Sequence, residues 1–280
     1  MTKLRETKEL VNDYVNRKGI SKNDLAARIG VSAATLTNIQ KERDDLLKSS
    51  MLRKVYNYVA DKKQKGWQYV ATSNFNTIQK ACFDVQKNHR MLSIIGYTGA
   101  GKTTSLRYYY RNNKNVYYIE SCKSMRPKQF FKKLLNEMGI HYSGTIYDMI
   151  QLVAKELNTQ ENPLLIIDEA GKLSQTHFMY LHDLRNATDN TTGIILSGVE
   201  YFKLNLEKAV DKQKEGMPEF YDRVFLWQEL FAPTKEEIIK ICESNGIDNE
   251  KQQKEILRLK PNNFRKLYNL ITEYQVFAQN

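Results

Sequence analysis

The sequence predicts an α/β fold: a parallel sheet in a three-layer αβα arrangement, preceded by a small all-α domain and followed by a helical lid. Three observations carry this. Short aliphatic runs alternate with helical stretches through the middle of the chain. Those runs end at glycine, serine or an acid. The two flanks show helical patterning and no strand-like run. A chain of 280 residues has room for one large domain and a small one.

Residues 1–60 read as helices joined by short turns and form the expected N-terminal domain. The informative part is "GISKNDLAARIGVSAATLTNIQKER", 19–43. Ser21 and Asp24 have capping-box spacing, Leu25 and Ile29 share a face, and Gly30 breaks the helix. Ser32 can cap the next helix, where Leu36 and Ile39 turn inward. Helix, glycine-containing turn, helix is the helix-turn-helix arrangement, with a hairpin for protein contacts as the alternative. "LAARIGVSAATLTNIQKE" resembles the helix-turn-helix of the phage repressors. The resemblance implies that the second helix enters a major groove, with Ala33, Ala34, Thr37 and Asn38 facing bases and Lys41 and Arg43 near phosphates. Two alanines leave few donors for bases, so duplex DNA is expected to be held mostly through its phosphates, with weak sequence discrimination. Residues 1–66 hold 15 Lys/Arg against 8 Asp/Glu, well over half of the chain's net charge of +11.

"ADKKQKGWQYVATSNF", 60–75, carries a lysine run, a glycine and polar residues. It reads as a linker over 61–75, with the boundary near 66 and Trp67 and Tyr69 expected to dock onto the next domain.

The core is expected over 76–232. Its elements are a helix at 76–88, a strand at 91–95, a helix at 102–111, a strand at 115–120, helices at 127–138 and 145–158, a strand at 163–168, a helix at 175–187 and a strand at 193–197. Between the first strand and its helix, "LSIIGYTGAGKTTSLRYYY" contains the spacing G-x-x-x-x-G-K-[ST]. Such a loop wraps phosphate oxygens in backbone N–H groups, and glycines let the chain approach closely. The ligands of ATP are then Gly96, Tyr97, Thr98, Gly99, Ala100, Gly101, Lys102, Thr103 and Thr104. Lys102 reaches the β- and γ-phosphates, Thr103 ligates Mg²⁺, and the helix start adds partial positive charge.

A partner strand ending in an acid follows some 65 residues on, in "PLLIIDEAGKLS". Four aliphatics in a row suit a central strand buried on both faces. Asp168 is placed at the water shell of Mg²⁺, and Glu169 at the attacking water, so the expected reaction is hydrolysis rather than storage of nucleotide. "TTGIILSG", 191–198, is a further buried strand, and Ser197 at its tip is placed to hold that water or sense the γ-phosphate. After Pro233 the pattern is helical again, giving a lid over 233–280, with "PNNFRKL" setting Arg265 early in a helix where its guanidinium can turn toward phosphate.

The glycine-rich loop, "LLIIDEA", the strand ending in Ser197, "PEFYDRV" at 218–224 and "NNFRKL" occur in the order of an AAA+ ATPase, which residues 75–273 resemble. The resemblance implies that Arg223 reaches the ATP of a neighbouring subunit, with Arg185 as a second candidate, that Arg265 is the second sensor, and that hydrolysis needs a homo-oligomer. Ser197 departs from the asparagine or threonine commonest at its position. A repressor-like module ahead of such a core is similar to the Mu B-type transposition ATPases. That similarity implies an ATP-dependent filament on duplex DNA that selects a target and stimulates a transposase. In "SCKSMRPKQFFKKLL", 121–135, Lys123, Arg126, Lys128, Lys132 and Lys133, with Lys114 just before, mark the expected DNA-tracking surface. The alternatives are an ATP-switched transcription regulator and a helicase loader.

Composition fits this: 27% charged residues and a net charge of +11 suggest a polyanionic partner. Cys82, Cys122 and Cys242 lie far apart with no metal-ligand spacing, as expected for free thiols in a reducing cytoplasm. No apolar run is long enough for a membrane span, so no membrane partner is expected.

Overall fold

The computed structural model describes residues 3–60 and 68–277. The first four helices are α1 (Lys3–Lys18), α2 (Lys22–Ile29), α3 (Ala33–Gln40) and α4 (Ser49–Val59). They close around a core of their own that includes Val11, Leu25, Leu36, Ile39 and Val55. Local chemistry sets the α2–α3 turn. The Ser21 hydroxyl accepts from the Asp24 N–H at 3.1 Å, while the Ser21 N–H donates to the Asp24 carboxylate at 3.0 Å. Gly30 takes φ +70° and donates back to Ala26 and Ala27 carbonyls, and Ser32 caps α3 through the Thr35 N–H.

The core begins with α5 (Ser73–Asn88), β1 (Met91–Ile95), α6 (Lys102–Asn112) and β2 (Val116–Glu120). It continues with α7 (Pro127–Glu137), α8 (Ile146–Asn158), β3 (Leu164–Asp168), α9 (Gln175–Ala187) and β4 (Gly193–Gly198). Then come α10 (Glu200–Asp211), α11 (Met217–Asp222) and β5 (Leu226–Glu229). The five strands are parallel, in the order β2-β3-β4-β1-β5. β1, β3 and β4 are buried along their whole length, as continuous aliphatic runs require. One face packs against α7 to α11 through residues such as Phe130, Phe178, Phe202 and Phe220. The other packs against α5 and α6 through Ile78, Val85, Leu106 and Tyr109.

α12 (Lys235–Ser244), α13 (Glu250–Arg258) and α14 (Phe264–Phe277) form a separate helical cluster around Cys242, Ile256, Leu267 and Ile271. The expected docking by Trp67 lies outside the described residues. The expected docking by Tyr69 is corrected, since its side chain is 56% exposed. Its neighbours dock instead, and onto the lid. The Gln68 N–H donates to the Asn245 side chain at 2.8 Å, and Val70 packs against the lid cluster. Among the described residues no helix is long and apolar enough to cross a membrane.

Candidate functional site

The glycine-rich loop joins β1 to α6, and its glycines answer to specific contacts. Gly99 and Gly101 hold φ +84° and +85°, where an L side chain is strained. A Cβ on Gly96 would stand 2.9 Å from the Cβ of Leu230. Lys102 opens α6 and is 8% exposed, with Nζ donating to the carbonyls of Gly96 at 2.6 Å and Tyr97 at 3.0 Å. Burial depresses its pKa, opposed by the carboxylates of Asp168, Glu169 and Glu200. A buried ammonium held by loop carbonyls suits a polyphosphate, which would favour its charged form. Ala100 is buried, while Thr98 and Thr104 are exposed on the solvent side of the loop and helix.

Strand alternation turns Ile166 and Asp168 toward the same side as Ile195 and Ser197, the side that carries α6. There the Thr103 hydroxyl donates to the Asp168 Oδ2 at 2.7 Å. Tyr118 donates its hydroxyl to the same oxygen at 2.8 Å. Glu169 takes φ +57°, gives its N–H to the Asp168 Oδ1 at 2.9 Å and pairs with Lys172 at 3.3 Å. Ser197 is fully buried and its hydroxyl has no partner among the described residues. An orphaned buried hydroxyl is costly unless something completes it. Among the described residues no group of three or more His, Cys, Asp or Glu could hold a metal ion alone. Thr103 and Asp168 therefore fit Mg²⁺ that arrives with phosphate and water as its remaining ligands.

Residues 85–206 match the model of a family described as an AAA domain. The matched residues include the glycine-rich loop after β1 and the acids Asp168 and Glu169 at the end of β3. The core has the P-loop AAA+ fold. Solved structures agree with it. The ORC1 protein of Aeropyrum pernix, in complex with DNA, is similar over 76% of this chain and 62% of its own, with a TM-score of 0.55 at 11% identity. NtrX from Brucella abortus, in complex with ATP, is similar over 87% of this chain and 60% of its own, with a TM-score of 0.50 at 14% identity. This chain therefore spans less than two thirds of either. At these identities the likeness is one of fold. A search of curated protein sequences finds no match.

The arginines of the AAA+ core separate into two kinds. Arg185 is 8% exposed, donates to the carbonyls of Thr192 at 2.8 Å and His89 at 2.9 Å, and pairs with Asp189 at 3.0 Å. It is a buried clamp between α9 and the ends of two strands, which corrects its reading as a candidate for a trans contact. Arg223 follows α11 with a half-exposed side chain that reaches Asn186 at 2.9 Å and Asp189 at 3.7 Å. Arg265 is exposed in the first turn of α14 and forms no ion pair among the described residues.

The lid touches the loop directly. The Phe264 N–H donates to the Gly99 carbonyl at 3.0 Å, and the Asn263 side chain stands 3.0 Å from where a Gly99 Cβ would be. Asn74 ties α5 to the same place, donating to the carbonyls of Ala100 at 3.3 Å and Phe231 at 2.8 Å. Tyr118, Lys172 and Asn263 are the residues that sequence reasoning missed. Only the parallel register of β2 on β3, with Tyr118 opposite Ile166, brings the first of them to Asp168.

Lys123, Arg126, Lys128, Lys132 and Lys133 are all exposed, on α7 and the loop before it, with Lys133 also donating to the Glu120 carbonyl at 2.9 Å. On the N-terminal helices Ala33, Ala34, Thr37, Lys41 and Arg43 are exposed and Asn38 is partly so. The Thr37 hydroxyl is turned back to the Ala33 carbonyl at 3.1 Å.

Proposed function

We propose that this chain hydrolyses ATP and uses the ATP-bound state to assemble on duplex DNA, selecting a target for a transposase that it stimulates. The observation that carries the reading is the convergence of Lys102, Thr103, Asp168 and Glu169 beside the orphaned hydroxyl of Ser197. Mg²⁺ on Thr103 and Asp168 would neutralise charge on the β- and γ-phosphates. Lys102 exchanges its loop carbonyls for phosphate oxygens. Glu169, steadied by Lys172, takes a proton from water as that water's oxygen bonds the γ-phosphorus and the bond to the bridging oxygen breaks, leaving ADP and phosphate. Ser197 orients the water. Arg223 and Arg265 are exposed in the way a contact to nucleotide from a neighbouring subunit or from the lid requires.

The DNA part rests on the charge of +11 and on the exposed basic residues of α7. The ORC1 neighbour was solved with DNA, which points the same way by likeness of fold. The transposition part rests on the order of a repressor-like helix pair and an AAA+ core. The exposed start of α3 favours a second reading, an ATP-switched transcription regulator. Electron microscopy with long duplex DNA separates the two: a helical coat only with ATP supports the first, and isolated dimers at one site support the second. Glu169→Gln is expected to bind ATP, to lose about 10²–10⁴-fold in turnover and to trap a long-lived DNA complex. Normal turnover by this variant removes Glu169 from its role.

A further inference from the structure

Asp168 is 1% exposed, and among the described residues three hydrogen bonds reach its carboxylate. Two of them share one oxygen: the hydroxyls of Thr103 and Tyr118 both donate to Oδ2, at 2.7 and 2.8 Å. The third, from the Glu169 N–H, ends on Oδ1 at 2.9 Å. A carboxylate offers about four acceptor sites, two on each oxygen. Oδ2 is therefore filled, and the open site lies on Oδ1. Thr103 gives its one proton to Asp168, which leaves the lone pairs of its own oxygen for a cation. Both conditions depend on where the carboxylate plane points.

The three donors come from different places. Thr103 stands on the first turn of α6, and Glu169 in the left-handed turn after β3. Tyr118 comes from a neighbouring strand. It lies opposite Ile166 in the parallel pairing of β2 with β3, so alternation brings its side chain to the face that Ile166 and Asp168 share. Two residues of α6 hold its ring. The Tyr110 ring lies 5.8 Å away, and Arg107 stands 5.5 Å from the ring centre with its own guanidinium paired to Glu120 at 2.6 Å. The phenol is a fixed post between sheet and helix, and its hydroxyl ends on the acid placed at Mg²⁺. On the reading of the glycine-rich loop and Asp168 as a site for ATP and Mg²⁺, on which this inference rests, we propose that Tyr118 is a positioning residue of that site. It fills the second acceptor site of Oδ2, leaves Oδ1 open, and keeps the plane that the Thr103 hydroxyl needs. Tyr118 acts through Asp168, and removing a group of this kind typically costs 10–100-fold in metal affinity.

The test is a titration of the full chain with an ATP analogue bearing a fluorescent ribose, first in EDTA and then with added Mg²⁺. Tyr118→Phe is expected to keep the wild-type affinity in EDTA and the wild-type melting temperature. The Mg²⁺ concentration that gives half of the tightening should rise about 10–100-fold. Tyr117→Phe removes the same hydroxyl one residue earlier, on the opposite face of β2, and should leave that midpoint at its wild-type value. In an Asp168→Asn background, Tyr118→Phe should add no more than about a twofold shift, because both substitutions remove one contact. A wild-type midpoint in Tyr118→Phe overturns the proposal. So does an equal shift in Tyr117→Phe, a full further shift on top of Asp168→Asn, or wild-type binding that Mg²⁺ does not tighten. Lys102→Ala tells these failures from failure of the ATP reading: undiminished binding of the analogue by that variant in EDTA removes the loop from its role, and the inference falls with it.

Discussion

The two ends of α6 are held in opposite ways. At its first turn the lid meets the loop through main chain, with the Phe264 N–H on the Gly99 carbonyl and Asn263 against a glycine that has no side chain. At its last turns the N-terminal helices meet it through buried polar side chains. Lys18 donates to the Tyr110 carbonyl and its ammonium lies 3.5 Å from that ring's centroid. The Tyr14 and Tyr110 hydroxyls are 3.3 Å apart, and Tyr110 donates to Glu137. Burial lowers the Lys18 pKa and raises that of Glu137, and each charge offsets part of the other's loss of water. The first contact follows any movement of the loop. The second holds only while its set of partners is complete.

Lys102→Ala strikes the loop end hardest. It is expected to lower turnover on the order of 10²–10³-fold and to remove ATP-dependent DNA binding together with ATP binding. ATP-stimulated DNA binding that survived the substitution would detach the loop from the DNA activity. Gly99→Ala comes next: it forces a side chain into a left-handed backbone and against Asn263. The strain of about 1–2 kcal/mol should appear as roughly tenfold weaker ATP binding and faster proteolysis of the lid. At the other end, Lys18→Met leaves the Tyr110 carbonyl without that donor and takes from Glu137 one of its cations, with Arg28 and Lys133 remaining. Urea unfolding should show a loss of about 1–3 kcal/mol, with ATP affinity unchanged. A loss of ATP affinity equal to that of Gly99→Ala would erase the distinction between the ends.

The smallest effect comes from a residue remote from both. His177 is buried on α9, and burial holds its pKa below the usual value near 6.5. The unfolded chain then binds the proton first, so stability is full above that value and declines as pH falls below it. Chemical denaturation between pH 7.5 and 5.5 checks this, and His177→Gln should flatten the slope.

What was legible in the sequence was local. The aliphatic runs of β1, β3 and β4 and the glycine spacing need only their neighbours, and the fold class followed from their alternation. Residues 199–232 were opaque at the level of elements. β5 is an edge strand with two exposed and two half-buried residues, so "LWQE" carries neither a continuous apolar run nor a strict alternation. Side-chain partners were harder still. Arg185 and Arg223 both follow the acidic strand, yet one is sealed beneath the carbonyls of Thr192 and His89 and the other stands half in solvent. Tyr118 reads as one more aromatic in a strand until β2 is laid beside β3.

β1 sits between β4 and β5, and both neighbours come later in the chain. The Gly96 N–H waits for the carbonyl of Gly198, and the carbonyl of Ile95 waits for the N–H of Leu230. During synthesis on the ribosome the glycine-rich turn therefore emerges long before the strands that brace it. Nascent chains ending short of residue 226 would lack one brace entirely, so the loop is fully braced only after both later strands have been made.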